Sequence, residues 1–165
     1  GGNKLEVWEE KEKVLRYLID STVPGLTLPL AHFRDSSQLF NSIEDHEIKL
    51  GGAMSEHDAL FLYCRVLCLE KDEMLGGALD TARRLQGLGS VSQRNEEHAA
   101  QVILRVIEGK EAKMPTTLEH DEELLSGGEL SFNMVQALRF RVRRKRLLRE
   151  CRDALKKRLE GMDAS

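Results

Sequence analysis

Residues 131–160, SFNMVQALRFRVRRKRLLRECRDALKKRLE, contain neither glycine nor proline. Nothing in that stretch breaks an i→i−4 ladder, so the whole of it is expected to form one long helix. Met134, Ala137, Leu138, Leu148, Cys151, Leu155 and Leu159 fall in a single stripe of its wheel, the face that should meet a core. Ser131 precedes the helix and Gly127-Gly128 separate it from the segment before.

Upstream, the same punctuation marks further helices. Met114-Pro115 is followed by Thr116-Thr117-Leu118-Glu119, in which Thr116 and Glu119 have the spacing of a capping box ahead of Leu124 and Leu125. Ser92 or Asn95 can cap a helix through Ala99, Ala100, Ile103, Leu104 and Ile107, with Glu96 and Glu97 near its positive end. Met74–Leu85 is a helical candidate in spite of Gly76-Gly77, and ends at Gly87-Leu88-Gly89. Ser55 with Asp58 can start a buried helix carrying Leu60, Phe61, Val66, Leu67 and Leu69. Ser36–Leu50 is only weakly periodic, and Leu26–Leu30 alternates like a strand that Pro29 confines to an edge or an extended loop. Residues 5–19 repeat Leu5, Trp8, Val14 or Leu15, and Leu18 as an amphipathic helix does, and should end before Val23-Pro24-Gly25. The fold expected is all-α, an irregular multihelical domain with a long C-terminal helix. Residues 4–160 form that single domain, 1–3 (Gly-Gly-Asn) read as a tag scar, and 161–165 as a disordered tail.

Charge is distributed unevenly. Residues 139–158 hold eleven Lys and Arg against Glu150 and Asp153, a local balance of +9, and the remaining 14 basic and 26 acidic residues carry −12. Three accounts of the basic run compete: a phosphate-gripping face for nucleic acid, a face solvated or packed on the acidic remainder, and a docking surface for an acidic protein. Phe140 is the lone aromatic interleaved with it, which is poor material for stacking single-stranded bases. Arg141, Arg144 and Lys145 share the stripe of Met134, Leu148 and Leu155, so a helix that packs along both ends and presents its centre would offer them to a partner. The candidate partner-binding residues are Arg139, Arg141, Arg144, Lys145, Arg149 and Arg152.

Cys64, Cys68 and Cys151 form an odd set without a CxxC pair, which points to buried structural thiols in a reducing, intracellular compartment such as plastid, nucleus or cytosol. No apolar run reaches the roughly 20 residues of a membrane span. The five histidines are scattered, and no metal-ligand spacing accompanies the cysteines.

Three segments of the C-terminal half, in order and spacing, resemble a known family. They are Asn95-Glu96-Glu97-His98-Ala99-Ala100 at a helix start, Met114-Pro-Thr-Thr-Leu-Glu-His-Asp-Glu-Glu-Leu-Leu125, and Ala137-Leu-Arg-Phe-Arg-Val with Arg144-Lys-Arg-Leu-Leu148. The chain is similar to the substrate-binding domain that follows the SET catalytic domain in protein methyltransferases of the Rubisco large-subunit methyltransferase class. Met114 departs from the aromatic usual there, and Arg144 replaces an acidic residue, adding positive charge. The resemblance implies a domain that holds a protein substrate and supplies no chemistry. S-adenosylmethionine would belong to the catalytic domain upstream, whose Asn-His motif and cofactor Gly-x-Gly have no counterpart here. Asn95, Glu96, Thr116, Thr117, Glu119 and Asp121 are read as structural motif residues, with Thr116 as the cap. The alternative is an independent helical scaffold or nucleic-acid module using the basic helix.

Overall fold

A computed structural model describes residues 2–20, 59–88 and 90–163. The expectations for Leu26–Leu30, for Ser36–Leu50 and for the Ser55 cap lie outside the described residues. Within them the fold is all-α. Six α-helices follow in order: α1 Gly2–Asp20, α2 Ala59–Leu67, α3 Ala78–Leu88, α4 Gln93–Lys113, α5 Leu118–Ser126 and α6 Phe132–Asp163, with a 3₁₀ turn at Lys71–Met74 between α2 and α3.

The packing order differs from the chain order. α1 lies against α3 and α2, α2 against α4, α4 against α6, and α5 against α6. Each contact follows from where the apolar side chains fall. Val14, Leu15 and Leu18 recur at helical spacing on α1, and all three are fully buried. Phe61, Leu62, Tyr63, Cys64 and Val66 leave α2 buried almost all round, as a short helix between two neighbours must be. Ala99, Ala100, Ile103 and Ile107 form the inner face of α4, and Leu148, Cys151 and Leu155 bring the C-terminal half of α6 into the same core.

Two expectations about boundaries are corrected. Met74–Leu85 is not one helix. The chain makes the 3₁₀ turn, then passes Gly77 at φ +94°, and restarts as α3 at Ala78. That left-handed backbone is strained for any residue with a Cβ, so the glycine pair ends one element and begins the next. The residues 161–163 placed in a disordered tail are instead the last turn of α6.

The expected stripe of α6 holds from Leu138 onward but not in the first turns. Met134 and Ala137 are exposed, and the buried line runs Leu138, Val142, Lys145, Leu148, Cys151, Leu155. The helix, at 32 residues, is about 48 Å long. α5 is nine residues, about 13 Å, and covers only part of its N-terminal half. The first turns of α6 therefore project past their partner, and the core-facing stripe begins where α5 begins to cover it.

Prediction: Gly77→Ala should lower the unfolding free energy by about 1 kcal/mol through the backbone alone, because no atom lies within 4 Å of where a Cβ would sit. Denaturant unfolding with an unchanged m-value is the check, and Gly87→Ala, inside α3 with open space around it, should be neutral or stabilising.

Candidate functional site

The resembling motifs are the places where the helices lock together. At the start of α4, Ser92 is the N-cap, its Oγ accepting from the Asn95 amide at 3.0 Å. That cap turns Asn95 and Glu96 inward, where both are buried. Asn95 Nδ2 donates to the Arg65 carbonyl of α2 at 2.8 Å. The Glu96 carboxylate accepts from Arg65 Nε at 2.5 Å and Nη2 at 3.1 Å, and from Arg158 Nη2 at 2.8 Å. Both guanidinium groups also stack on the Phe61 ring, 4.5 and 4.7 Å from its centre. One carboxylate thus joins α2, α4 and α6.

The loop before α4 is tied in the same way. Ser92 Oγ donates to the buried Glu73 carboxylate of the 3₁₀ turn, which also accepts from the Glu70 amide at 2.9 Å. Glu70, Asp72 and Glu73 place three carboxylates close enough to share a cation. Arg94 occupies that role, with Nη2 at 2.7 Å from Asp72 and 3.2 Å from Glu70.

The second lock lies between α5 and α6. Thr117, not Thr116, is the N-cap of α5: its backbone is extended and its hydroxyl accepts from the His120 amide at 3.1 Å. The capping box expected of Thr116 and Glu119 is therefore corrected by one residue. Thr116 donates instead to Asp121 Oδ1 at 2.8 Å. Lys145 spends all three ammonium hydrogens here, on the Thr116 carbonyl at 2.8 Å, the Thr116 hydroxyl at 2.7 Å and Asp121 Oδ2 at 2.5 Å. Burial opposes ionisation of Asp121, which is fully enclosed, but the hydrogen bonds from Lys145 and Thr116 outweigh it and hold the carboxyl below its ordinary 3.8.

Lys145 is consequently corrected as a partner-binding candidate, because its charge is consumed inside the domain. The centre of α6 is covered by α5 rather than presented. Arg149 pairs with Glu119 at 2.5 Å, and Arg152 with Glu111 at 2.9 Å and Asp153 at 3.4 Å. Arg146 with Glu122, Lys156 with Glu108 and Arg158 with Glu96 continue the pattern. Six of the eleven cations of the basic run are thus paired within the fold. Arg139 and Arg141 are exposed and Arg144 half-buried, and none of the three makes an ion pair among the described residues. Arg143 and Lys157, which the stripe did not single out, are in the same position.

Beside the unpaired arginines runs an open groove of about 870 Å³, between the end of α5 and the N-terminal half of α6. Arg139, Arg143, Arg144 and Arg146 line it, with Phe140, Leu125 and Leu147, above buried Val142 and Leu148. Glu122 and Glu150 supply its acids. Val142 was legible in principle, four residues from Leu138 and three before Lys145. Phe140 at the groove had no signal, since it stands outside the core stripe.

The thiols are structural in character. Burial pushes the Cys64 thiol well above its ordinary range, and pushes Cys68 up to about 11 despite the nearby Lys11. Lys11 itself donates to the Leu67 carbonyl at 2.6 Å, closing the exposed end of α2.

The family model described as Rubisco LSMT substrate-binding matches residues 4–148. The chain belongs to that family. No curated protein and no solved structure matches it. The match takes in both locks except Arg158, and its name assigns the domain a binding role rather than a chemical one.

Prediction: Lys145→Met should cost about 3–5 kcal/mol, the usual consequence of leaving a buried carboxylate unpaired, and Lys145→Met with Asp121→Leu should recover much of that loss. Arg149→Ala, on the exposed side of the same helix, should change stability by less than about 1 kcal/mol. Chemical denaturation of the four proteins is the measurement. In acid, the depressed Asp121 carboxyl contributes stability that is full above its unfolded value near 3.8 and is lost as pH falls through the lower folded value. Asp121→Asn should therefore flatten the acid limb of the stability curve below about pH 4.

Proposed function

We propose that this domain recognises a protein substrate on behalf of a SET-type protein lysine methyltransferase. The observation that carries the reading is the family match across residues 4–148 together with the use its motifs find in the fold. Asn95, Glu96, Thr116, Asp121 and Lys145 hold α2, α4, α5 and α6 in register, and none of them is offered to solvent as a reacting group. A helical body held by buried polar locks, with an open groove beside α5 and α6, is a binding platform.

The division of labour has a physical basis. Methyl transfer requires a nitrogen nucleophile aligned in line with the donor carbon, and positioning accounts for much of the rate of a bimolecular transfer. Binding energy gathered remotely from the acceptor residue can be used for that alignment. S-adenosylmethionine would be held by the catalytic domain, and this chain contributes affinity and orientation for the protein substrate. Of the candidate contacts, Arg139, Arg141 and Arg144 make no ion pair among the described residues and keep their charge for that purpose.

Nucleic-acid binding through α6 is the weaker reading. Pairing of six of its cations with carboxylates of α4, α5 and α6 itself removes most of the charge a polyphosphate would need.

Prediction: joined to a SET catalytic domain, the domain should lower KM for the protein substrate by about tenfold or more while kcat for a short acceptor peptide stays the same. The domain alone should transfer no methyl group. Equal KM with and without the domain, or an affinity of the domain alone for nucleic acid that falls steeply with salt, would count against the proposal.

A further inference from the structure

We infer that the groove beside α5 and α6 seats an acidic segment of the protein substrate, its carboxylates on Arg139, Arg143 and Arg144 and an apolar side chain against Phe140 and Leu147. The inference rests on the substrate-recognition reading above and names the chemistry of what is recognised.

The first ground is the sorting of charge along one helix. From Lys145 onward every cation of the basic run except Lys157 has a carboxylate within 4 Å. From Arg139 to Arg144 none has one among the described residues. Four guanidinium groups within six residues repel one another; Arg141 acts on Asp121 from beyond ion-pair distance, and Arg139, Arg143 and Arg144 have no carboxylate within 4 Å among the described residues. A fold that matches acids to bases so consistently in one half of a helix, and not in the other, leaves that other half complementary to an external anion.

The second ground is the shape and composition of the space beside those arginines. About 870 Å³ falls within the roughly 300–1,000 Å³ of ligand pockets. Phe140 is 63% exposed at its wall beside Leu125 and Leu147, so the groove offers a contiguous apolar contact next to its arginines. Arginine and an aromatic over an aliphatic floor is the composition of interface hot spots, and the guanidinium fork matches a carboxylate in two-point fashion. Glu122 is already held by Arg146 at 3.0 Å, so it does not cancel the field. Glu150 lies toward the other end of the groove and orients the acidic segment to the Arg139 end.

The same observations favour a peptide over a nucleic acid. A polynucleotide needs a continuous cationic track and several stacking faces. Here the unpaired track is six residues long, the aromatic is single, and the rest of the chain carries −12.

The test is fluorescence anisotropy of this chain with a labelled peptide alternating Asp and Glu with leucines. Its leucine-to-serine version and a single-stranded oligonucleotide of equal charge serve as comparison probes. Arg139→Glu with Arg143→Glu should weaken peptide binding by about tenfold or more, and Phe140→Ala by about threefold or more. Arg139→Lys with Arg143→Lys should keep much of the affinity. Lys157→Glu, an exposed and unpaired cation outside the groove, should change nothing. Unaltered helical circular dichroism and melting keep the variants interpretable. No peptide binding, an equal loss in Lys157→Glu, equal binding of the serine peptide, or tighter binding of the oligonucleotide each overturns the assignment. In the joined enzyme, a domain that still lowers KM although the Arg139/Arg143 reversal has no effect would overturn the groove and leave substrate recognition standing. A domain that never lowers KM would remove the reading on which the groove rests.

Discussion

Glu96 is buried between two guanidinium groups, and the relative placement of three helices depends on it. Removing the Glu96 carboxylate and Arg65 from water, with Arg158 partly exposed beside them, costs several kcal/mol per buried ion, so such a cluster is retained only where the geometry repays it. Here Arg65 engages both oxygens, Arg158 shares one of them, and Phe61 presents its face to both cations. Sliding α6 by one turn along α4 would move Arg158 about 5.4 Å and leave Glu96 half-paired. Apolar contacts in the core that α4 and α6 share tolerate small slippage, whereas the ion cluster does not. The hydrophobic core supplies the driving force, and the cluster selects one register from those the core would permit.

The Lys145, Asp121 and Thr116 lock does for α5 what Glu96 does for α4. α5 is too short to be stable alone, since helices of fewer than about 12 residues are marginal in water. Leu118, Leu138 and Val142 are buried outside the main core, a small apolar patch for so short a helix. A fully hydrogen-bonded lysine under the Thr117 cap fixes α5 on α6 at one height and one rotation. That placement creates the groove, because the wall formed by Leu125 and Ser126 stands where the end of α5 is held.

How much of this could be read from the residues alone divides along a physical line. Glycine, proline and capping hydroxyls act locally, so the long helix, the start of α4 and the stop at Gly127-Gly128 were legible. The shift of the cap from Thr116 to Thr117 was not, because two adjacent threonines offer equal hydroxyls and the choice is made by Lys145, 29 residues away, which claims the first. The burial of Lys145 was misread for the same reason. A charge within an apolar stripe announces that it must be paired or presented, and only the position of Asp121 decides which. Arg65 and Arg158 gave no sign of their shared carboxylate, since neither is near Glu96 in the chain. The family resemblance was legible because its motif residues are those lock residues, and their spacing is set by helix geometry rather than by the surface.

The strong charge asymmetry of the chain is, for the most part, a folding device. A helix with eleven cations laid antiparallel against acidic neighbours is steered to them over several ångströms before any apolar contact forms, and salt weakens that steering within a Debye length of about 8 Å. Once docked, the pairs at Arg146, Arg149 and Lys156 are largely solvated and add little to stability, whereas the Arg152–Glu111 pair is partly buried. What the pairing leaves behind matters more for function. It leaves Lys157 as the one cation of the run unpaired among the described residues in the C-terminal half of α6, and it gathers the other four at the turns where α5 ends and the groove opens. A surface that would bind many anions weakly is reduced to one short site with an aromatic wall, and selectivity follows from how little free charge remains.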